Sequence, residues 1–479
     1  MPVAVGAWGT AAIATLLPAA TSIWIASVAV AVALLLRHGR GLSVALGGAA
    51  LGIAIVAPSV AWHVHRLHSG EVPRLAHRHA DLPVVVRLVR DPLPVGGTGS
   101  SGLLVVDATA VSVDDGNWRS VDVPVLVLAR GALWQGLLPG QRVRVDARFV
   151  APRRGDDVAA VLDATDSPVP LGRPPWWQRA AGRARSSLRR ACSSLSPDAR
   201  GLLPSLVDGD TTGVPAELHT DMQVAGLSHL EAVSGENLSV VLAVSLSVAQ
   251  RLGLRRRSRV VGAAVAVVGF VVLARPSPSV QRAALMSAVT LIAMFAGRRS
   301  SGRPALAVAV LALVALDPFL ARSVGFVLSV SATAGIIVLA PRWTARLEAW
   351  LPQPIALAVA VSAAAQLACT PALVLAFGQL TPYAVPANVL AAAAVVPATV
   401  LGLVTAVIAS IAPGLAVPVA WLGAVPTTGV AWVAHVFASL PGAAAQLSRG
   451  PAVTVAIAAT AILFWAATRR VEPPSREIL

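Results

Sequence analysis

Within residues 229–237 the chain sets His229, Glu231, Ser234, Gly235, Glu236 and Asn237, then runs directly into the apolar stretch Leu238–Val248. Ionisable groups at the lip of a membrane helix are costly and mark a binding site or a pathway. Two readings stand. Ser234 is a favoured N-cap type and Glu236 falls in the first turn, where the helix dipole favours an anion, so the group could serve only to start a helix. Against that, Asp208, Asp210, Glu217, His219 and Asp221 crowd the preceding stretch. Such a density of acids suits a gate or a bound cation.

A second group, Gln281-Arg282, opens the apolar run 280–297. Arg282 can snorkel to the interface, or it can present its cation to a phosphate from inside a membrane domain. The histidines at 63, 65, 68, 77 and 79 look metal-like, but they follow an apolar run, and Leu67 stands where a His-x-His-x-Asp-His motif needs its acid. They read as solvated juxtamembrane residues. No phosphate-binding loop, cysteine-based zinc pattern or nucleophile–base arrangement occurs. No catalytic residue, metal or cofactor is therefore expected, and work would have to come from a partner or a gradient.

The elements that must position these residues are mostly apolar. The chain is 479 residues long, 56% hydrophobic and 13% charged, about half the charge of a soluble domain. Repeated apolar runs of spanning length predict a polytopic α-helical membrane protein of about 11–12 transmembrane helices. The net charge is +15 and there is no Lys; either Arg is placed to set topology, or some Arg residues line a route for a polyanion. Cys192 and Cys369 are the only cysteines, and nothing in their spacing pairs them. The first 36 residues lack the charged n-region of a cleavable signal.

Residues 7–36 form one long tilted helix or a tight pair, and 42–62 a second run; together these are the N-terminal membrane segment, 1–62. Between 63 and 173 the character changes. Five β-rich runs, at 82–90, 103–113, 121–130, 142–150 and 158–164, are separated in part by turn signals such as Pro94-Val95-Gly96-Gly97 and Pro139-Gly140. They predict an inserted small barrel, most economically OB-like. Residues 174–200 start with Trp176-Trp177 and continue with Arg179, Arg183, Arg185, Arg189 and Arg190. This is a basic amphipathic helix expected at the membrane surface, with contact to lipid headgroups or to DNA.

From 201 to 470 apolar spans are expected at 236–252, 259–275, 280–297, 304–317, 323–340, 354–376, 385–411, 414–439 and 451–468, before a short tail, 471–479. With nine crossings, four Arg groups fall on one side: 251–259, 298–303, 342–346 and 469–470. Basic loops stay cytoplasmic. The barrel then lies outside and the C-terminus inside, in agreement with Arg37, His38 and Arg40 after the first run.

The block Gly226-Leu-Ser-His-Leu-Glu-Ala-Val-Ser-Gly235 resembles the signature of the ComEC-type competence proteins, inner-membrane DNA-uptake channels. Further segments are similar in order: Pro139–Phe149, Pro174–Trp177, Gly201–Asp210, Arg282–Met286, Asp317–Phe326, Phe377–Leu380 with Gln379, and Ala387-Asn388. The resemblance implies transport of single-stranded DNA across the cell membrane, along a polar path that includes Gln379 and Asn388. It implies an external DNA-receptor protein and a cytosolic DNA-translocating ATPase as partners. Members often carry Gly-Leu-His where this chain has Gly235-Glu236-Asn237. Many also carry a metallo-β-lactamase-like nuclease domain; the chain ends at Leu479, so a separate nuclease is expected. The alternatives are a transporter of lipid or another small anion, or a non-pore subunit of an uptake machine.

Overall fold

The computed structural model describes residues 1–17, 19–36, 42–94, 102–153, 155–231, 233, 235–275, 277–296 and 302–468. Arg37, His38, Arg40, the turn residues 95–97, Ser234, Arg298, Arg299, Arg469 and Arg470 lie outside the described residues. The N-terminal apolar stretch resolves into a tight pair, α1 (Pro2–Ala14) and α2 (Ala19–Leu36), followed by α3 (Leu42–His68) and the short α4 (Glu71–His77). Small residues Ala4, Ala7 and Ala11 let α1 close on Val56 and Val60 of α3.

The barrel strands are β1 (Asp81–Leu88), β2 (Leu93–Pro94), β3 (Leu103–Asp114), β4 (Trp118–Arg130), β5 (Arg142–Val150), β6 (Ala160–Ala164) and β7 (Val169–Leu171), with α5 (Ala132–Gln135) between β4 and β5. The order β1-β3-β4-β6-β5 closes on itself through β1–β5, which abolishes the sheet edges that would invite wrong pairing. The β4–β6 pair is parallel and the rest are antiparallel. This closed five-strand barrel is the OB-like domain the alternation predicts. Along β5, Val143, Val145, Ala147 and Phe149 point inward while Arg142, Arg144, Asp146 and Arg148 point out. Trp134 of α5 and Val72, Leu75 and Ala76 of α4 complete the core.

The helical domain follows: α6 (Trp176–Ala191), α7 (Pro197–Asp208), α8 (Ala216–Val224), α9 (Gly235–Arg251), α10 (Arg256–Ala274), α11 (Pro278–Phe295), α12 (Gly302–Leu316), α13 (Val324–Leu347), α14 (Gln353–Phe377), α15 (Ala384–Ile411), α16 (Pro413–Ala438) and α17 (Arg449–Thr468). A two-stranded ribbon pairs β8 (Gln379–Leu380) with β9 (Ala445–Gln446). Among the described residues, α3, α10, α13, α14, α15 and α16 are long and apolar enough to cross a membrane, and α1, α2, α11, α12 and α17 are shorter apolar helices. The expected span at 236–252 is in neither group: α9 is 17 residues long, and Glu236, Asn237, Ser239, Ser245, Ser247 and Gln250 lower its hydropathy.

The centre of the domain is α7, buried from Gly201 to Asp208 between α15 and α16. Only glycine fits at 402, because a Cβ there would stand 2.4 Å from a methyl of Val207 and 3.0 Å from Leu203. The hairpin α15–α16 is accompanied by α6, α7 and α8: Leu188 and Ala191 lie in one cluster with Ala409 and Ala416, and Leu218 and Met222 in another with Ala387 and Val430. The basic helix α6 is thus bound to protein on its apolar face rather than resting on lipid alone.

Candidate functional site

Three helix ends meet the barrel. Leu67, at the end of α3, enters the barrel core, as does Phe319 from the turn before α13, and Arg322 donates to the Gly155 carbonyl at 2.7 Å. The third end is that of α10. There Arg275 has a φ of 66°, an unfavourable backbone for a residue with a Cβ. Two contacts hold it: Nε donates to Asp91 of the barrel at 2.9 Å, and Nη1 donates to Gln178 of α6. These are the ends that Arg parity assigns to the barrel's side.

Next to this clasp lies a second ion network. Arg185 Nη1 donates to the carbonyls of Asp208 (3.0 Å) and Leu273 (3.1 Å), and its Nε lies 3.9 Å from Asp208 Oδ2. Arg189 pairs with Asp210 at 3.3 Å. Arg185 therefore joins α6, α7 and α10, with its guanidinium turned into the protein. Trp176, Trp177, Arg179 and Arg183 remain on the exposed face of α6. Asp208 is wholly buried, and that burial pushes its carboxyl up to about 6 despite the opposing charge of Arg185.

The acids that crowd 208–236 in sequence separate in space. His219 Nδ1 meets Glu231 Oε2 at 2.7 Å, and its Nε2 meets the Gln223 amide at 2.8 Å. The amide donating to Nε2 leaves the proton on Nδ1, so the ring donates to the carboxylate. Burial raises the Glu231 carboxyl and the neighbouring His219 opposes it. Asp221 and Asp198 bracket His435 of α16, at 2.6 and 3.3 Å, beside a cleft of about 570 Å³ that Glu217 also lines. Among the described residues no three His, Cys, Asp or Glu side chains converge in a way that could hold a metal ion.

Of the segment that opens α9, Asn237 is buried and donates to the Leu206 carbonyl at 2.8 Å, fixing α9 to α7. His229 and Glu236 are exposed. Gly235 faces Arg282: a Cβ on Gly235 would lie 2.9 Å from Arg282 Nη2. The two segments singled out from sequence therefore touch. Arg282 does not snorkel. It is 6% exposed and turns into the protein, with Nε donating to Ser329 Oγ at 2.9 Å and Nη1 to Thr333 Oγ1 at 2.5 Å. Gln281 beside it is half-buried. Ser329 and Thr333 escaped the sequence reading, although their i, i+4 spacing in an apolar run puts both hydroxyls on one helix face.

Asn388 and Gln379 lie apart from Arg282. Asn388 donates to the carbonyls of Ala384 (2.7 Å) and Gly226 (3.4 Å), so it moors the start of the 226–235 block to α15. Gln379 pairs with Gln446 in the β8–β9 ribbon. The Asn388 amide thus has structural work of its own, and Gln379 is placed by backbone strand pairing. Cys192 and Cys369 are free thiols, Cys192 fully buried.

Residues 206–472 fit the family model described as Competence protein. The ComE operon protein 3 of Bacillus subtilis (strain 168) is 29% identical over 198 residues, covering 41% of this chain and 25% of the relative. The chain thus spans about a quarter of that relative's length. No solved structure matches. The family match extends over more than half of the chain and contains α9, Arg282, Ser329, Thr333 and Asn388, so the chain belongs to the competence protein family.

Proposed function

We propose that this protein moves single-stranded DNA across the cell membrane during natural transformation, as a conduit that performs no covalent chemistry. The observation that carries the reading is the joint between barrel and helical domain. Asp91, Arg275, Arg322 and Phe319 tie the barrel to the end of the helical domain where the 226–238 segment and Arg282 stand. A strand guided by an external barrel would meet the membrane domain there. Transport needs contacts that release as readily as they bind, and phosphate contacts without base readout meet that need. An external receptor would deliver DNA to the barrel side, and a cytosolic ATPase would draw it through. The C-terminal end of α17 would face the cytoplasm.

Deleting the gene tests this. Internalisation of labelled DNA into a nuclease-resistant pool should fall to background while DNA bound at the cell surface stays at the parental level. Normal internalisation in the deletion strain would end the proposal. In liposomes, flux of a lipid or small anion without DNA translocation would favour the transporter alternative instead.

A further inference from the structure

We propose that Arg282, Ser329 and Gly235 form a seat for a single phosphate group, at the junction of α9, α11 and α13. The identity of the strand that carries the phosphate rests on the DNA reading above; the anion seat rests on geometry.

The starting point is a buried cation whose partners among the described residues are all neutral. Arg185, Arg189 and Arg275 each face a carboxylate. Arg282 is buried, like Arg275, yet its partners among the described residues are two hydroxyls and, at 3.7 Å, the sulfur of Met286. Removing a guanidinium from water without an opposite charge is expensive. The fold sustains that cost where an anion visits.

The hydroxyls also aim the fork. Nε and Nη1 are held by α13, which leaves Nη2 directed at the start of α9, against Gly235. A helix N-terminus carries a partial positive charge and a ready geometry for anions. Two positive features in contact repel each other unless an anion lies between them or beside both. Thr333 gives its own proton to the Ser329 carbonyl at 2.9 Å and acts as a brace. Ser329 Oγ accepts from Arg282 and has no acceptor for its own proton among the described residues, so it is a second donor beside the guanidinium. A phosphate oxygen would accept from both groups. Residue 235 must then lack a side chain, because a methyl there would push Nη2 out of line.

The test uses the full chain purified in non-ionic detergent, with three probes: a dT oligonucleotide, an uncharged methylphosphonate oligomer of the same sequence and length, and inorganic phosphate. The wild type should prefer the charged oligomer by about tenfold, the effect of one charge-assisted contact near 1.4 kcal/mol, and phosphate should compete. Arg282→Gln should abolish the preference. The pair Ser329→Ala with Thr333→Val, which keeps the charge and removes only neutral hydroxyls, should weaken it several-fold, as should Gly235→Ala. Melting temperature of each variant reports folding separately. If these variants show the wild-type preference, the seat is overturned, even where DNA uptake is intact. If phosphate binds with this variant dependence but the oligonucleotide does not, the seat stands and the DNA reading falls.

Discussion

Asp208 and Arg282 are both buried charges, and in each the charge itself costs stability. Asp208 has a carboxylate partner's geometry with Arg185, but its folded pKa, about 6, lies above that of an exposed carboxylate. Its charge therefore costs stability above pH 6, roughly 3 kcal/mol at neutral pH, and the cost fades as pH falls from about 6 toward about 4. Lowering the pH from 7.5 to 5 should raise the melting temperature of the wild type relative to Asp208→Asn. Parallel pH profiles would refute this. For Arg282, replacement by Met removes an uncompensated buried charge, so the variant should melt no lower than the wild type while losing uptake. Arg275→Met, by contrast, strands Asp91 and Gln178 and should melt lower. Sequence exposed Arg282 as a candidate because a charge interrupts an apolar run. It could not show that Ser329 and Thr333 receive it, since they lie about fifty positions away and only helix packing aligns them.

Among the elements, α6 decides how the barrel is held. Its apolar face lies on α15–α16, and through Gln178 and Arg185 it reaches α10 and α7. Reversing the clasp tests whether Arg275 and Asp91 hold the barrel in place. Arg275→Asp and Asp91→Arg should each increase hydrogen exchange in α10's last turn and in β1 and β3, and the double reversal should restore most of the protection; no recovery would assign the effect to local strain at residue 275. The barrel was legible in sequence because inward and outward residues alternate at the period of a strand, which Val143–Phe149 shows plainly. The role of α6 was only half legible. Its Arg-rich face and Trp pair are local features, whereas the partner of its apolar face is set by residues more than two hundred positions later.

For the whole molecule, sidedness is open to direct measurement. The proposal puts the barrel outside and the α13–α14 connection inside. Cysteines placed at the exposed positions Asp166 and Glu348 should react oppositely with an impermeant maleimide on intact cells: Asp166→Cys labelled, Glu348→Cys labelled only after permeabilisation. Background from Cys192 should be low, because burial pushes its thiol up to about 12. Labelling of both on intact cells would overturn the topology. Composition and period alone determined that this chain is a multi-pass membrane protein with an inserted β-barrel, because hydropathy and alternation are properties of consecutive residues. They also marked 226–237 and Arg282 as the residues out of place in apolar surroundings. Only the tertiary structure decided that α7 is the buried centre, that the crowded acids separate into distinct pairs, and that Gly235 meets Arg282. Those are relations between distant segments, and the packing of one helix on another, not local preference, brings them together.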